Sequence, residues 1–353
     1  MTTQTEAGGT PAAGPVERVE VLVVGGGAAG LSGALVLARA RRSVLVVDAG
    51  EPRNAPAGHV QGFLTRDGVP PGELLAAARA EVAEYGVRLR TAEALGAERR
   101  PGGGFRVALA DGTAVEAERL LVATGLTDEL PPVPGLAARW GRDVLHCPYC
   151  HGWEVRGARL GVLSGGPLAV QQALLWRQWS AEVTLFLHEG PEPGEEEYEQ
   201  LAARSVTVVD GAVTGLVTEG DGLTGVRLAS GRVIPCGALA VSPRMSARTG
   251  FLSGLGLRAT DLAVKGHVVG SRIAADASGA TDVPGVWVAG NAAEPTAQVL
   301  AAAAAGAKAA MAVNADLVAE DTRRAVAARR TPFSPEAESA VCEAVLGERR
   351  HGL

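Results

Sequence analysis

The run Val19-Glu20-Val21-Leu22-Val23-Val24-Gly25-Gly26-Gly27-Ala28-Ala29-Gly30 decides how this chain folds. Its first six residues read as a buried strand, its glycines as a turn, and the apolar stretch to about Arg41 as a helix. Val44-Leu45-Val46-Val47 then reads as a second strand ending on Asp48, which completes a βαβ unit. Gly25 permits the tight strand-to-helix turn, Gly27 leaves the backbone open to a pyrophosphate, and Gly30 lets helix and strand approach, with Ala29 in the same cradle. The helix N-terminus adds free N–H groups and a positive dipole end for the phosphates. Asp48, 18 residues after Gly30, stands near the spacing at which a carboxylate accepts the adenosine ribose hydroxyls. Glycines alone are a weak signal; glycines flanked by both strands and followed by the acid are a specific one.

Outward from that unit, Leu120-Leu121-Val122-Ala123-Thr124-Gly125 reads as a buried strand ending in a Thr-Gly turn, and Pro131, Pro132 and Pro134 as a hinge. A second glycine-punctuated βαβ unit follows: a strand at Leu160–Leu163, the turn Ser164-Gly165-Gly166, a helix over 167–180 and a strand over 183–187. Ser242-Pro243 reads as the return hinge. Val283-Pro284-Gly285-Val286-Trp287-Val288-Ala289-Gly290-Asn291 is a further strand with a glycine turn, feeding an alanine-rich helix expected over 296–318. The tail holds one more short helix, with Ser334 as N-cap and Pro335 at its first position; Val341 and Val345 share a face expected to dock. The organisation expected is a disordered leader over 1–16, one domain built from 17–129 and 244–320, a second over 130–243, and a helical extension over 321–353.

With 353 residues, 47% hydrophobic and 20% charged, the chain has apolar material for about two globular domains. A net charge of -6 provides no basic footprint for nucleic acid. No stretch reaches the roughly 20 apolar residues of a membrane span, and residues 1–20 lack the apolar core of a signal peptide, so a cytoplasmic protein is expected. Two of the four cysteines form Cys147-Pro148-Tyr149-Cys150, and a close pair in a reducing compartment points to redox catalysis rather than to a structural bridge. Zinc held by His146, Cys147, Cys150 and His151 is disfavoured, because structural sites draw ligand pairs from separated segments. A glutaredoxin reading is poorer still, since the pair lies more than a hundred residues after a dinucleotide motif. Cys236 and Cys342 read as buried or incidental thiols.

These motifs in this order resemble the low-molecular-weight thioredoxin reductase family of flavoproteins. The resemblance covers 19–318 and rests on the first glycine turn, Ala123-Thr124-Gly125, the Cys-x-x-Cys and Val288-Ala289-Gly290-Asn291. It implies an α/β fold of two Rossmann-like domains, with a discontinuous FAD domain interrupted by one that carries the cysteines. It also implies FAD as cofactor, held by Gly25, Gly27, Ala29, Gly30, Asp48, Thr124, Gly125, Gly290 and Asn291, with Gln298 and Val299 beside the flavin pyrimidine edge, and a homodimer. Within the family, Cys147-Pro148-Tyr149-Cys150-His151-Gly152-Trp153-Glu154 looks most like the dithiol oxidases of natural-product pathways, such as those closing the disulfides of gliotoxin and holomycin. Those enzymes oxidise a small dithiol and pass electrons to O2.

Departures from the reductase pattern sharpen that reading. Ser164 stands where the second nucleotide turn would have its first glycine. His188-Glu189 and an acidic run from Glu192 to Glu199 replace the arginines that would grip a 2′-phosphate. The run reads equally as a solvated loop, but the arginines are missing either way. Glu189, 20 residues after Ala169, keeps an NADH-dependent reductase open as the alternative, and a ferredoxin-like donor would need no nicotinamide site. Asn291 stands where reductases carry Asp. Under the resemblance, a substrate thiolate attacks Cys147, the more exposed sulfur, the second substrate thiol resolves the mixed disulfide, and Cys150 passes electrons to the flavin and on to O2, giving hydrogen peroxide. His151, at the place of an Asp acid, is the expected base. No metal enters the scheme. His59 is an uncertain site candidate, and a redox sensor is the least favoured class.

Overall fold

The computed structural model describes residues 16–330 and 334–346. The expected leader therefore lies outside the described residues, except for Val16.

Strand Glu17–Val24 pairs in parallel with Val44–Asp48 on one side, Val21 opposite Val44, and with Ala114–Val122 on the other, Leu22 opposite Leu120. Its almost unbroken apolar sequence follows from burial on both faces of a parallel sheet. Seven strands complete this sheet in the order Arg88–Thr91, Val44–Asp48, Glu17–Val24, Ala114–Val122, Phe105–Leu109, Ala94–Arg99, with Val286–Val288 also paired to Ala114–Val122. The last pairing returns the chain to the first sheet after a long excursion, and it uses only Leu120 to Val122 because Phe105–Leu109 occupies the same edge lower down.

The excursion contains an all-parallel sheet of five strands, ordered Val206–Val209, Val183–Phe186, Leu160–Leu163, Ala238–Val241, Val144–Leu145, and an antiparallel three-stranded sheet over residues 213–235. The chain is thus α/β with two Rossmann-like halves. Its outgoing and returning crossovers, Leu126–Glu129 and Arg244–Ala247, lie antiparallel with Glu129 opposite Arg244. They join Ala259–Val264 and His267–Ile273 in a four-stranded sheet between the halves.

Two helices cross tightly over the first sheet. A Cβ on Gly306 would overlap the Ala29 carbonyl oxygen, and one on Gly33 would lie 3.1 Å from the Gly306 oxygen. Helix Ala28–Arg39 can therefore meet helix Val299–Arg330 only through these small residues.

Helix Val299–Arg330 runs twelve residues past the end expected from its alanine content. Ion pairs carry it on: Arg324 to Glu320 at 2.9 Å and to Glu118 at 3.0 Å, and Arg42 to Asp321 at 2.8 Å. The second half's helix, in contrast, is confined to Ala169–Trp176. The acidic run is only partly a loop: Glu192 precedes regular structure, and the rest is helical. Glu195–Ala203 is a helix whose first turn carries Glu195, Glu196 and Glu197, where the dipole favours acids, and Glu197 accepts from the Gly194 N–H at 3.0 Å. Ser334 caps helix Pro335–Leu346 through the Ala337 N–H at 3.1 Å, as expected. The docking expected of its apolar face is not seen within the described residues: Val341 and Val345 are 60% and 75% exposed. Among the described residues, no helix is long and apolar enough to cross a membrane.

Candidate active site

A cavity of about 490 Å³ opens along the C-terminal edge of the first sheet and reaches the Cys-x-x-Cys of the second half. Gly25, Gly27, Ala29, Asp48, Thr124, Gly125, Gly290, Asn291, Gln298, Val299, Cys147, Cys150 and His151 all line it. Gly30 does not. It sits behind the turn, where a Cβ would overlap the Gly25 carbonyl oxygen, so its contribution is close packing.

The first turn has the shape a dinucleotide needs. Gly25 adopts φ +108°, and its missing Cβ leaves room for Ala123. Nothing lies within 4 Å of where a Gly27 Cβ would be, which leaves the N-terminus of helix Ala28–Arg39 open to the cavity. Asp48 holds the turn by accepting from the Gly26 N–H at 2.8 Å, and it also meets Arg79 at 3.5 Å. An FAD pyrophosphate fits this cradle. Thr124 is committed elsewhere: its hydroxyl donates to the Arg248 carbonyl at 2.8 Å and ties the two crossover segments together.

Asn291 has a role that sequence reasoning missed. Its Nδ2 donates to the carbonyl oxygens of Ala297 at 2.8 Å, Glu294 at 3.2 Å and Pro295 at 3.2 Å. All three neighbours are acceptors, so the amide must turn its nitrogen toward them. The side chain thereby pins the turn that launches helix Val299–Arg330, leaving Oδ1 free to accept. Arg53 binds the same turn at the Pro295 carbonyl, 3.4 Å away, and grips half-buried Asp128 through two bonds of 2.7 Å. No local pattern linked Arg53 to a partner 75 residues away.

Cys147 and Cys150 are joined in a disulfide, with Cα atoms 5.2 Å apart across the short helix Pro148–His151. Both cysteines are half-buried, so exposure does not single out Cys147. Two histidines flank the pair. His146 Nδ1 donates to the Val241 carbonyl at 3.2 Å, which leaves Nε2 with its lone pair in the neutral ring. Burial holds His146 below the ordinary imidazole value, with nearby Arg53 acting the same way and the Val241 bond and Asp128 opposing. His151 is likewise lowered by burial, against the pull of Glu154. Its ring makes no hydrogen bond among the described residues. In sequence, His146 has a signal only in its place immediately before Cys147, beyond the disfavoured zinc set. His59 lines the cavity wall and is exposed.

The second glycine turn faces a smaller cleft of about 190 Å³. Ser164 is 2% exposed with an unpartnered hydroxyl beside Gly190, and Glu192 and Glu197 line the cleft, together with Lys265 from the hairpin of the first half. Glu189 lies outside it and is exposed. His188 Nδ1 accepts from the Val213 N–H at 3.0 Å.

Comparison with known proteins agrees with this architecture. Residues 19–309 match the family described as pyridine nucleotide-disulphide oxidoreductase, a family of FAD-binding flavoproteins. The chain is 36% identical over 176 residues to "Thioredoxin reductase tcpT" of Claviceps purpurea, covering 48% of this chain and 55% of that one. It is 29% identical over 322 residues to "Thioredoxin reductase sirT" of Leptosphaeria maculans, covering 86% and 95%. It spans about half the length of the first curated relatives it matches, 55%, 40% and 49%. The crystal structure of HlmI superposes with a TM-score of 0.83 at 47% identity, covering 90% of this chain and 98% of that one. A family match across most of the chain, a shared fold and a vicinal disulfide at a dinucleotide cradle make this protein a thioredoxin reductase-like member of the pyridine nucleotide-disulphide oxidoreductase family.

Proposed function

We propose that this chain is an FAD-dependent dithiol oxidase, closing an intramolecular disulfide in a small-molecule dithiol with O2 as electron acceptor. The observation that carries this reading is a contrast between the two nucleotide turns. The first opens onto the cavity that holds the disulfide, while the second faces a cleft of about 190 Å³ lined by Glu192 and Glu197. The two carboxylates there, set against the single ammonium of Lys265, disfavour the phosphates of a nicotinamide dinucleotide, and Glu189 stands outside the cleft. Electrons would then enter through sulfur.

A substrate thiolate attacks Cys147 and displaces the Cys150 thiolate, giving a mixed disulfide. The second substrate thiol attacks the substrate's own bonded sulfur and releases the cyclic product, leaving Cys147 and Cys150 reduced. The two substrate protons need an acceptor. His146 Nε2 and a ring nitrogen of His151, both kept neutral by burial, supply it. Bound at the first glycine turn, FAD would supply the two-electron chemistry that couples oxidation of the Cys147–Cys150 dithiol back to the disulfide with reduction of O2 to hydrogen peroxide.

The test is anaerobic reduction of the yellow holoenzyme. Bleaching of the flavin absorbance by dithiothreitol but not by NADH or NADPH, followed by peroxide on admission of air, is the expected result. Bleaching by micromolar NADH or NADPH instead refutes the oxidase and establishes a reductase.

A further inference from the structure

Aromatic residues make up only 4% of the chain, yet Tyr149, between the two disulfide cysteines, begins a line of ring contacts that runs through Trp179 to Trp176. The arrangement is anchored from within. Trp176 is 1% exposed and meets Trp179 edge to face, with centroids 5.9 Å apart; Trp179 meets Tyr149 in the same way at 5.8 Å and 87°. Gly152 makes room for this stack, since a Cβ there would lie 2.6 Å from the Trp179 ring. Tyr149 is therefore backed by a fixed indole and has few ways to move.

Its outer surface is not used by the fold. Tyr149 is 66% exposed, stands between the two cysteines in sequence, and lines the cavity they share. A large rigid ring left in solvent beside reacting sulfurs is not core packing, and flat apolar rings bind other rings face to face or edge to face. The rim outside the cavity is built as firmly. The Arg156 guanidinium lies 4.1 Å from the Trp153 ring centroid and donates to the Trp153 carbonyl at 2.6 Å. Glu154 accepts from Gln61 at 3.0 Å, which ties the disulfide segment to the first half.

We propose that Tyr149 determines substrate specificity, as a stacking platform for a planar unsaturated ring that carries both substrate thiols. This deepens the dithiol oxidase reading and rests on it. Disulfide closure needs two substrate sulfurs to react in succession at one position. A flat ring seated on a flat surface holds both at the same height above the cavity floor, which raises their effective concentration. The cavity, at about 490 Å³, falls in the range of small-molecule sites.

The test compares naphthalene-1,8-dithiol, a planar dithiol whose two sulfurs can close a five-membered ring disulfide, with dithiothreitol, using oxygen uptake by holoenzymes of matched flavin content. Wild type is expected to prefer the planar dithiol in kcat/KM. Tyr149→Leu is expected to reduce that preference about tenfold, and Tyr149→Phe to keep it, on the scale of one aromatic pair. A binding readout accompanies the kinetics. The thioether 1,8-bis(methylthio)naphthalene, which cannot undergo exchange, should bind Tyr149→Leu about tenfold more weakly than wild type by calorimetry, and Tyr149→Phe within about twofold. An unchanged preference and unchanged thioether affinity in Tyr149→Leu overturn the assignment while leaving the oxidase intact. Failure of wild type to oxidise either dithiol overturns the oxidase reading, and this proposal with it.

Discussion

Replacing Asn291 by the aspartate that reductases carry should weaken this protein, and weaken it more as the pH rises. The Asn291 amide nitrogen faces three carbonyl oxygens at 2.8, 3.2 and 3.2 Å. In Asn291→Asp a protonated carboxyl can still donate once, toward Ala297, so the neutral form loses one or two hydrogen bonds at about 1 kcal/mol each. The ionised form has no donor and directs negative charge at three negative dipole ends in a half-buried site, which raises the folded-state pKa of the introduced carboxyl above the unfolded value of about 3.9. A group raised in this way contributes stability that is complete below the unfolded pKa and is lost as pH climbs through the folded one. With a folded pKa about two units up, the total cost reaches about 4–5 kcal/mol at pH 8, and the gap to wild type widens by about 1 kcal/mol between pH 5 and pH 8. Urea unfolding of the apo chains across that range measures the gap, with Asn291→Ala as the pH-independent control. A gap that stays constant or narrows toward pH 8 refutes the assigned role of the amide.

Other outcomes can be read from the same geometry. Cys147→Ser and Cys150→Ser should each keep the yellow colour and lose dithiol turnover by at least about a hundredfold, because exchange needs both sulfurs; retained turnover in either contradicts the scheme. Both flanking histidines have folded pKa values depressed below 6.5 by burial, so their contribution to stability is complete above pH 6.5 and is lost as pH falls through the lower folded values. The acid limb of kcat/KM should therefore lie below pH 6.5, and a limb above it would remove them as bases. A thiol reagent should label exposed Cys342 in the native protein and reach Cys236 only on unfolding, since burial pushes that thiol up to about 12; mass spectrometry of labelled peptides decides. Gly306→Ala should cost about 1–3 kcal/mol in urea unfolding and loosen FAD retention, because the added methyl overlaps the Ala29 carbonyl.

The sequence alone was enough for the α/β class, the first glycine turn and the close cysteine pair, because each is a local pattern: a strand, glycines and an acid at set spacing, or two thiols three residues apart. Where it went astray, distant partners had supplied what local signals lacked. Helix Val299–Arg330 continues through ion pairs to Glu118 and Arg42, and the acids after Glu192 start a helix that uses its dipole. Tertiary structure alone decided that Arg53 meets Asp128, that Asn291 gives its amide to the turn before the long helix, and that the disulfide and the first turn share one cavity. Side-chain direction and the meeting of remote segments follow from packing two halves across paired crossovers, and no window of sequence contains both sides of such a contact.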